Sequence, residues 1–276
     1  MNHYFVRWPG FLKKAVTLSY DDGVTQDVRL ISIMDQYGIK GTFNINGQDF
    51  TENRPAIFSH ERLSRSVALE LYNTPEHEVA IHSYTHPFLE QLPAGNAAWQ
   101  IVKDRETLEQ MYGTIVRGMA YPMGTYNDDV VNTLRQCGIA YARTVKSTYT
   151  FTLPEDWLRW HPTCHHRDSR LQELCDKFLN LQLKWGAPRL FYLWGHSYEF
   201  DDKDNWHVIE NFCKQMGGHA DIWYATNMEI YTYIEASRQI VASMDGSRIY
   251  NPTVTTLYLE ADGKDIVLEP GQTIQL

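Results

Sequence analysis

Two histidines four residues apart, His82 and His86 in "EHEVAIHSYTHPF" (residues 76–88), stand directly after a short apolar run and directly before a proline. A neutral imidazole binds a transition-metal ion through one ring nitrogen at about 2.0 Å. Residues i and i+4 share a face of a helical turn, so this spacing would let both rings reach one ion. A pair of surface histidines with no ligand fits the same spacing, and a carboxylate brought from elsewhere would tip the reading toward metal. "SYDDG" (residues 19–23) offers Asp21 and Asp22. By itself it also reads as an Asx-turn with Gly23 at positive φ. Two imidazoles, one carboxylate and open positions for water make the donor set of a hydrolytic zinc site or a related divalent-metal site. Side chains alternate along an extended chain, so one aspartate can ligate while its neighbour faces the substrate as a general base. His196 in "LWGHSYEFD" (residues 193–201) is placed to be the acid that protonates the leaving group, which matters most for an amine.

These residues need a scaffold that gathers them. "AVTLSY" (15–20), "GTFNIN" (41–46), "HEVAIH" (77–82), "GMAYP" (118–122), "IAYART" (139–144), "RLFYLWGH" (189–196) and "IWYAT" (222–226) read as buried strands. Segments of helical periodicity separate them, the clearest over residues 96–113, closed by Gly113. Such alternation predicts an α/β fold with parallel strands, in a sheet or barrel. Loops leaving the C-terminal ends of those strands converge on one rim, and Asp21, Asp22, His82, His86 and His196 all fall there. The final thirty residues change character: β-branched alternation broken at "ADGKD" predicts a β-hairpin appendage. We therefore expect a barrel over residues 1–245 and a β-hairpin appendage over 246–276 packed on it.

Composition narrows the partners. Twenty-five Lys and Arg face 34 Asp and Glu, a formal charge of −9, with no basic cluster, which argues against nucleic acid and membrane surfaces as partners. The N-terminal stretch lacks an apolar core of signal-peptide length, and no uncharged run approaches the roughly 18 residues of a membrane span. The chain as written reads as cytoplasmic. Cys137, Cys164, Cys175 and Cys213 are scattered, without a CxxC pair, and read as reduced structural thiols.

"TLSYDDG", "HSYTHP" and "LWGH" resemble, in order and spacing, the first, second and fifth motifs of the polysaccharide deacetylases, carbohydrate esterase family four, also called the NodB-homology fold. "MAYPMGTYN" falls at the third motif, and the resemblance spans about residues 14–235. It implies a distorted (β/α) barrel of seven strands, a divalent metal on an Asp-His-His triad, and removal of an N-acetyl, less often an O-acetyl, group from a sugar. Carried over by position, Asp22, His82 and His86 are the ligands, Asp21 the base and His196 the acid. Zinc is the expected metal, with cobalt, nickel or manganese as alternatives. The substrate would be a small carbohydrate or oligosaccharide; oligomeric state is left open.

Two motifs depart from the family. The third-motif arginine that pairs with the catalytic aspartate is replaced by Ala120, and Arg143, ending the next strand, could reach Asp21 instead. A surface or structural ion pair is the other reading of Arg143. Met123 stands where the family has an aromatic whose backbone N–H serves the oxyanion hole, and any non-proline residue supplies that group. The fourth motif is matched only by "LPEDWLRW", where Asp156 aligns with the residue that holds and tunes the catalytic histidine. Tyr84, Trp194, Pro122, Met123, Gly124 and His165 are the expected substrate contacts. In "WHPTCHHRD" the adjacent histidines have the wrong spacing for a chelating face, so groove lining or structure is expected over a second metal site. Two other readings stay open: a hydrolase of cyclic amides or ureides on the same fold, and a non-catalytic carbohydrate-binding descendant. A complete set of both aspartates and three motif histidines speaks against the last.

Overall fold

In chain order the strands are β1 (Tyr4–Arg7), β2 (Lys14–Asp21), β3 (Gly41–Ile45), β4 (His77–Ile81), β5 (Gly118–Ala120), β6 (Tyr141–Arg143) and β7 (Cys164–His165). They continue with β8 (Arg189–Gly195), β9 (Ile222–Tyr224), β10 (Val241–Ala242), β11 (Arg248–Tyr250), β12 (Leu257–Ala261), β13 (Lys264–Leu268) and β14 (Thr273–Gln275). The helices are α1 (Asp27–Gln36), α2 (Arg65–Tyr72), α3 (Ala94–Tyr112), α4 (Asp128–Gln136), α5 (Leu171–Leu179), α6 (Tyr198–Asp202), α7 (His207–Met216) and α8 (Asn227–Arg238). The structure is a computed structural model that describes residues 4–51 and 60–276.

An all-parallel sheet runs in the order β6, β5, β4, β3, β2, β8, β7, and β9 joins it beside the first half of β2. Every residue of β2 is buried, as a central parallel strand covered on both faces requires. Curling brings the two ends of the order together across residues 160–165. Trp160 bridges to Arg143 of β6, while Cys164 and His165 pair with Leu193 and Trp194 of β8. Pro162 lies between these two pairings and has no N–H for a ladder. The closing strand is therefore broken, and the result is a distorted (β/α) barrel of seven strands around, with β9 as an extra. Helix–sheet packing buries one large apolar cluster that includes Leu18, Phe43, Ile81, Met119, Phe191 and Leu193.

The expected central strands and the helices of residues 27–36, 94–112, 128–136, 171–179, 207–216 and 227–238 are present. Gly113 ends α3 at φ 67°, the left-handed cap that glycine adopts without Cβ strain. β12 and β13 form the hairpin at "ADGKD", turning through Asp262 (φ 51°) and Gly263 (φ 74°). β1 pairs antiparallel with β12, so the N-terminal strand and the tail make one three-stranded sheet. Its Leu257, Leu259 and Leu268 are buried with Trp8, Tyr233 and Ile234 in a second apolar cluster. β10, β11 and β14 form a further small sheet. All four cysteines are free thiols, three of them buried. No helix among the described residues is long and apolar enough to cross a membrane.

Candidate active site

The C-terminal ends of β2, β4 and β8 place the five motif residues at one rim. Asp22, His82 and His86 converge: His82 Nε2 lies 3.1 Å from His86 Nε2, and Asp22 Oδ1 lies 3.9 and 3.8 Å from those two nitrogens. Among the described residues, Asp22 Oδ1 is buried and accepts no hydrogen bond, with the Arg62 guanidinium 3.4 Å away. A buried carboxylate oxygen left this way is costly unless something else satisfies it. His82 Nδ1 is 2.8 Å from the carbonyl of Ala120; donating there fixes the tautomer that leaves Nε2 with a lone pair facing the cluster. The position of the missing arginine thus contributes its backbone.

The route to this convergence differs from the expected helical turn. Residues 82–86 are irregular, with Ser83 at φ 62° and His86 at φ 57°. Left-handed backbone at non-glycine residues costs about 1–3 kcal/mol each and persists only where surroundings impose it. The surroundings are visible. Asn46 Nδ2 donates to the carbonyls of His82 (2.8 Å) and Ser83 (2.6 Å), Asp104 of α3 accepts from the N–H groups of His82 (3.0 Å) and Gly47 (2.6 Å), and Gln100 accepts from Thr85 N (2.8 Å). Nor do the two aspartates face opposite ways. Asp22 has left the extended conformation (φ 85°), and both carboxylates turn toward His82, Asp21 Oδ2 also at 3.9 Å.

Arg143, at the end of β6 and fully buried, donates through Nη2 to both carboxylate oxygens of Asp21, 2.5 Å to Oδ1. Its guanidinium stacks on Trp194 at 4.4 Å, and Asn44 Nδ2 gives Asp21 Oδ1 a further hydrogen bond of 2.9 Å. Arg62 donates to the carbonyl of Asp22 and ion-pairs with Asp22 Oδ1 (3.4 Å) and Asp49 (3.3 Å). Burial pushes both aspartate carboxyls up, and the cations outweigh it. Arg143 holds Asp21 below the usual carboxylate range, and Arg62 with the histidines brings Asp22 down to about 2. Burial lowers both imidazoles, His86 to about 4 with His82 adding to the effect. At neutral pH the cluster is one carboxylate and two neutral rings.

His196 sits on the opposite side, Nε2 3.8 Å from Asp21 Oδ2 and Nδ1 3.7 Å from Glu199 Oε1. Burial lowers its pKa, but Glu199 and Asp21 more than compensate and the ring is held above its ordinary value. Asp156 does not hold this histidine. It caps a short 3-10 turn by accepting from Leu158 N (2.9 Å) and pairs with Arg159. A 3-10 turn at the start of "DWLR" uses the carboxylate locally, and the carboxylate beside His196 comes from three residues further along its own chain.

The expected substrate contacts fall into two groups. Pro122, Met123 and Gly124 form a tight turn after β5, Met123 half exposed at φ 57° and Gly124 at φ 70°. A Cβ on Gly124 would come within 2.6 Å of Val145, so the turn requires glycine. Trp194 is buried against Arg143, His165 (ring centroids 4.5 Å) and His196 (5.7 Å). His165 ion-pairs with Glu199 at 3.2 Å, and Tyr84 packs edge-on against Trp99. Asn44, Asn46, Asp104, Arg62 and Glu199 were not anticipated. Asn44 and Asn46 carried a signal, two polar residues of low strand propensity at alternate positions on one face of a buried strand.

The donor set of Asp22, His82 and His86, with its oxygen unsatisfied by hydrogen bonds, fits a divalent metal ion. Residues 10–142 match the polysaccharide deacetylase family model. The chain is 26% identical over 104 residues to the Bacillus subtilis uncharacterized protein YlxY, covering 38% of this chain and 29% of that one. Among solved structures, a Mycobacterium smegmatis protein named as a polysaccharide deacetylase superposes with a TM-score of 0.57 at 18% identity, covering 84% of this chain and 94% of that one. A Bacillus anthracis pseudoenzyme of carbohydrate esterase family four, BA3943, superposes with a TM-score of 0.50 at 18% identity, covering 82% and 68%. At that identity these structures establish the fold.

Proposed function

We propose that the chain is a metal-dependent hydrolase that removes an acetyl group from nitrogen on an amino sugar or short oligosaccharide. The observation that carries this reading is the convergence of Asp22 Oδ1, His82 Nε2 and His86 Nε2, with the carboxylate oxygen lacking a hydrogen bond. The match of residues 10–142 to the polysaccharide deacetylase family model supports an acetylated carbohydrate as the substrate class. A pseudoenzyme shares the fold, so the fold alone does not carry activity; the reading rests on Asp22, His82 and His86 converging with Asp21 and His196 beside them.

Asp22, His82 and His86 would hold the metal, which supplies a Lewis acid for the acyl oxygen and for water. Asp21 is the base: Arg143 and Asn44 leave its carboxylate ionised and fixed beside the cluster. It takes one proton from water as the water oxygen bonds to the acetyl carbon. The C–N bond then breaks, and the departing nitrogen takes a proton from His196 Nε2, giving a free amine and acetic acid; the acid's proton is lost to solvent as acetate forms, and the proton on Asp21 leaves as His196 is reprotonated. A raised His196 pKa suits it to carry that proton. Zinc is the proposed metal.

Metal content and acetate release from N-acetylglucosamine oligomers, measured for wild type, His82→Ala and Asp21→Asn, test the reading. Near-stoichiometric metal in wild type, its loss in His82→Ala, and metal without acetate in Asp21→Asn are expected. Metal with no acetate from any sugar, but turnover of cyclic imides, would move the reaction to another amide. No metal at all would overturn the reading of the cluster.

A further inference from the structure

His196 lies between two carboxylates, Asp21 facing Nε2 and Glu199 facing Nδ1. At 3.7 Å the Nδ1–Glu199 contact is an ion pair rather than a hydrogen bond, and it turns the Nδ1 edge of the ring toward Glu199 and Nε2 across the pocket toward Asp21. Glu199 is itself held. His166 Nε2 lies 3.0 Å and His165 Nε2 3.2 Å from Oε2, and Arg167 Nη1 lies 3.3 Å from Oε1. His166 is buried, its ring over Phe200, and Gly195 is what admits it: a Cβ there would meet His166 Nδ1 at 2.0 Å. Behind the loop, Ser197 Oγ donates to the buried carboxylate of Asp27, so the backbone beside His196 is anchored too.

We infer that Glu199 is the positioning residue for His196, set by His165, His166 and Arg167, and that it takes the place Asp156 has left. The inference rests on the proposed acid role of His196. A second metal site on His165, His166 and Glu199 is the competing use of the same atoms. His165 Nδ1 accepts a hydrogen bond from Arg167 N at 3.1 Å, so the neutral ring carries its proton on Nε2, the atom a metal would need. That tautomer favours a carboxylate paired with the nitrogen edges of His165 and His166 and the guanidinium of Arg167 over one that binds a metal. Glu199 and His196 lie three residues apart around the first turn of α6, so the pairing is built by one short segment and needs no distant strand.

Glu199→Gln in the zinc-loaded protein is the test, read by kcat, KM, metal content and the histidine ring 15N spectrum. Loss of the charged acceptor is expected to lower kcat about 10- to 100-fold, at or below the low end of the roughly 10²–10⁴-fold that a whole general acid supplies, with KM and metal content unchanged. The neutral His196 ring should carry its proton on Nδ1 in wild type, and its Nδ1 signal should shift in the variant. Unchanged kcat overturns the assignment. So does a parallel fall in kcat and zinc content, which would make Glu199 a metal ligand. If wild type releases no acetate, the functional reading fails, and the spectrum still decides: identical His196 signals in both proteins overturn the positioning role. If the variant does not fold, a wild-type His196 protonated on Nε2 with a free Nδ1 overturns it.

Discussion

The half of the pocket proposed to bind metal and the half proposed to supply the acid use charge in opposite directions. In the first, two buried arginines press on two aspartates: Arg143 keeps Asp21 below the normal carboxylate range and Arg62 takes Asp22 to about 2. In the second, two carboxylates press on one histidine and hold His196 above its ordinary value against the effect of burial. The same low-dielectric rim thus shifts the proposed base and the proposed acid in opposite directions. The supports differ as well. Side-chain hydrogen bonds to the backbone hold the histidine loop, from the amides of Asn46 and Gln100 and the carboxyl of Asp104, whereas ionic contacts hold Glu199.

The comparison is broken most severely at His82. His82→Ala removes a ligand from the triad while leaving His196 in place. Several kcal/mol of transition-state stabilisation from the metal is lost, on the order of 10³-fold in rate at about 1.36 kcal/mol per tenfold, together with metal content measured by elemental analysis. Asp21→Asn is expected to keep the metal and lower kcat by about 10²–10⁴-fold, the range of a general base, checked by acetate release at saturating substrate.

Arg143→Met asks whether the cation is what keeps the base ionised. Removing one member of a buried ion pair costs about 3–5 kcal/mol. The sign follows from Asp21. With Arg143 present its folded pKa is depressed, so the pair contributes stability above the unfolded carboxylate range, lost as pH falls through the folded value. With Arg143 gone, burial alone raises the carboxyl, so the stability deficit should be greatest at neutral pH and narrow in acid. The acid limb of the rate should move to higher pH, because the base must be unprotonated. Thermal melts and a pH–rate profile check both; a profile that does not move makes Arg143 structural.

How far this was readable from sequence follows from the distance over which each contact acts. Asp21, Asp22, His82, His86 and His196 were legible because strand ends in a parallel barrel share a rim, and the strands themselves were marked by apolar runs. The arginine was legible at the level of reach, since β6 lies next to β5 and Arg143 stands one strand over from Ala120. What was not legible is conformation between strands. Helical spacing put the two histidines on one side by a geometry the structure does not use, since Ser83 and His86 are left-handed and Asn46 holds the loop there. Asn46→Ala should therefore lower metal affinity about 10- to 100-fold, as loss of a group orienting a ligand does, read by metal titration with the fold checked by circular dichroism. Closure through residues 160–165 was also invisible, because a strand of two residues interrupted by Pro162 has no period.

The finest discrimination between the two halves comes from Asp156, the residue that motif order alone would put beside His196. Its carboxylate accepts from Leu158 N at the head of a 3-10 turn and pairs with Arg159, both on a partly exposed surface. A helix-cap side chain contributes about 0.5–2 kcal/mol and an exposed ion pair about 0–1 kcal/mol. Asp156→Ala is therefore expected to lower the melting temperature by a few degrees and to leave kcat and its pH dependence where they are. Glu199→Gln should do the reverse, sparing stability more than rate. If Asp156→Ala instead moved the alkaline limb of the profile, the contact to His196 would have to form only when substrate is bound. The acid half would then be assembled by the ligand, where the triad half is built in advance.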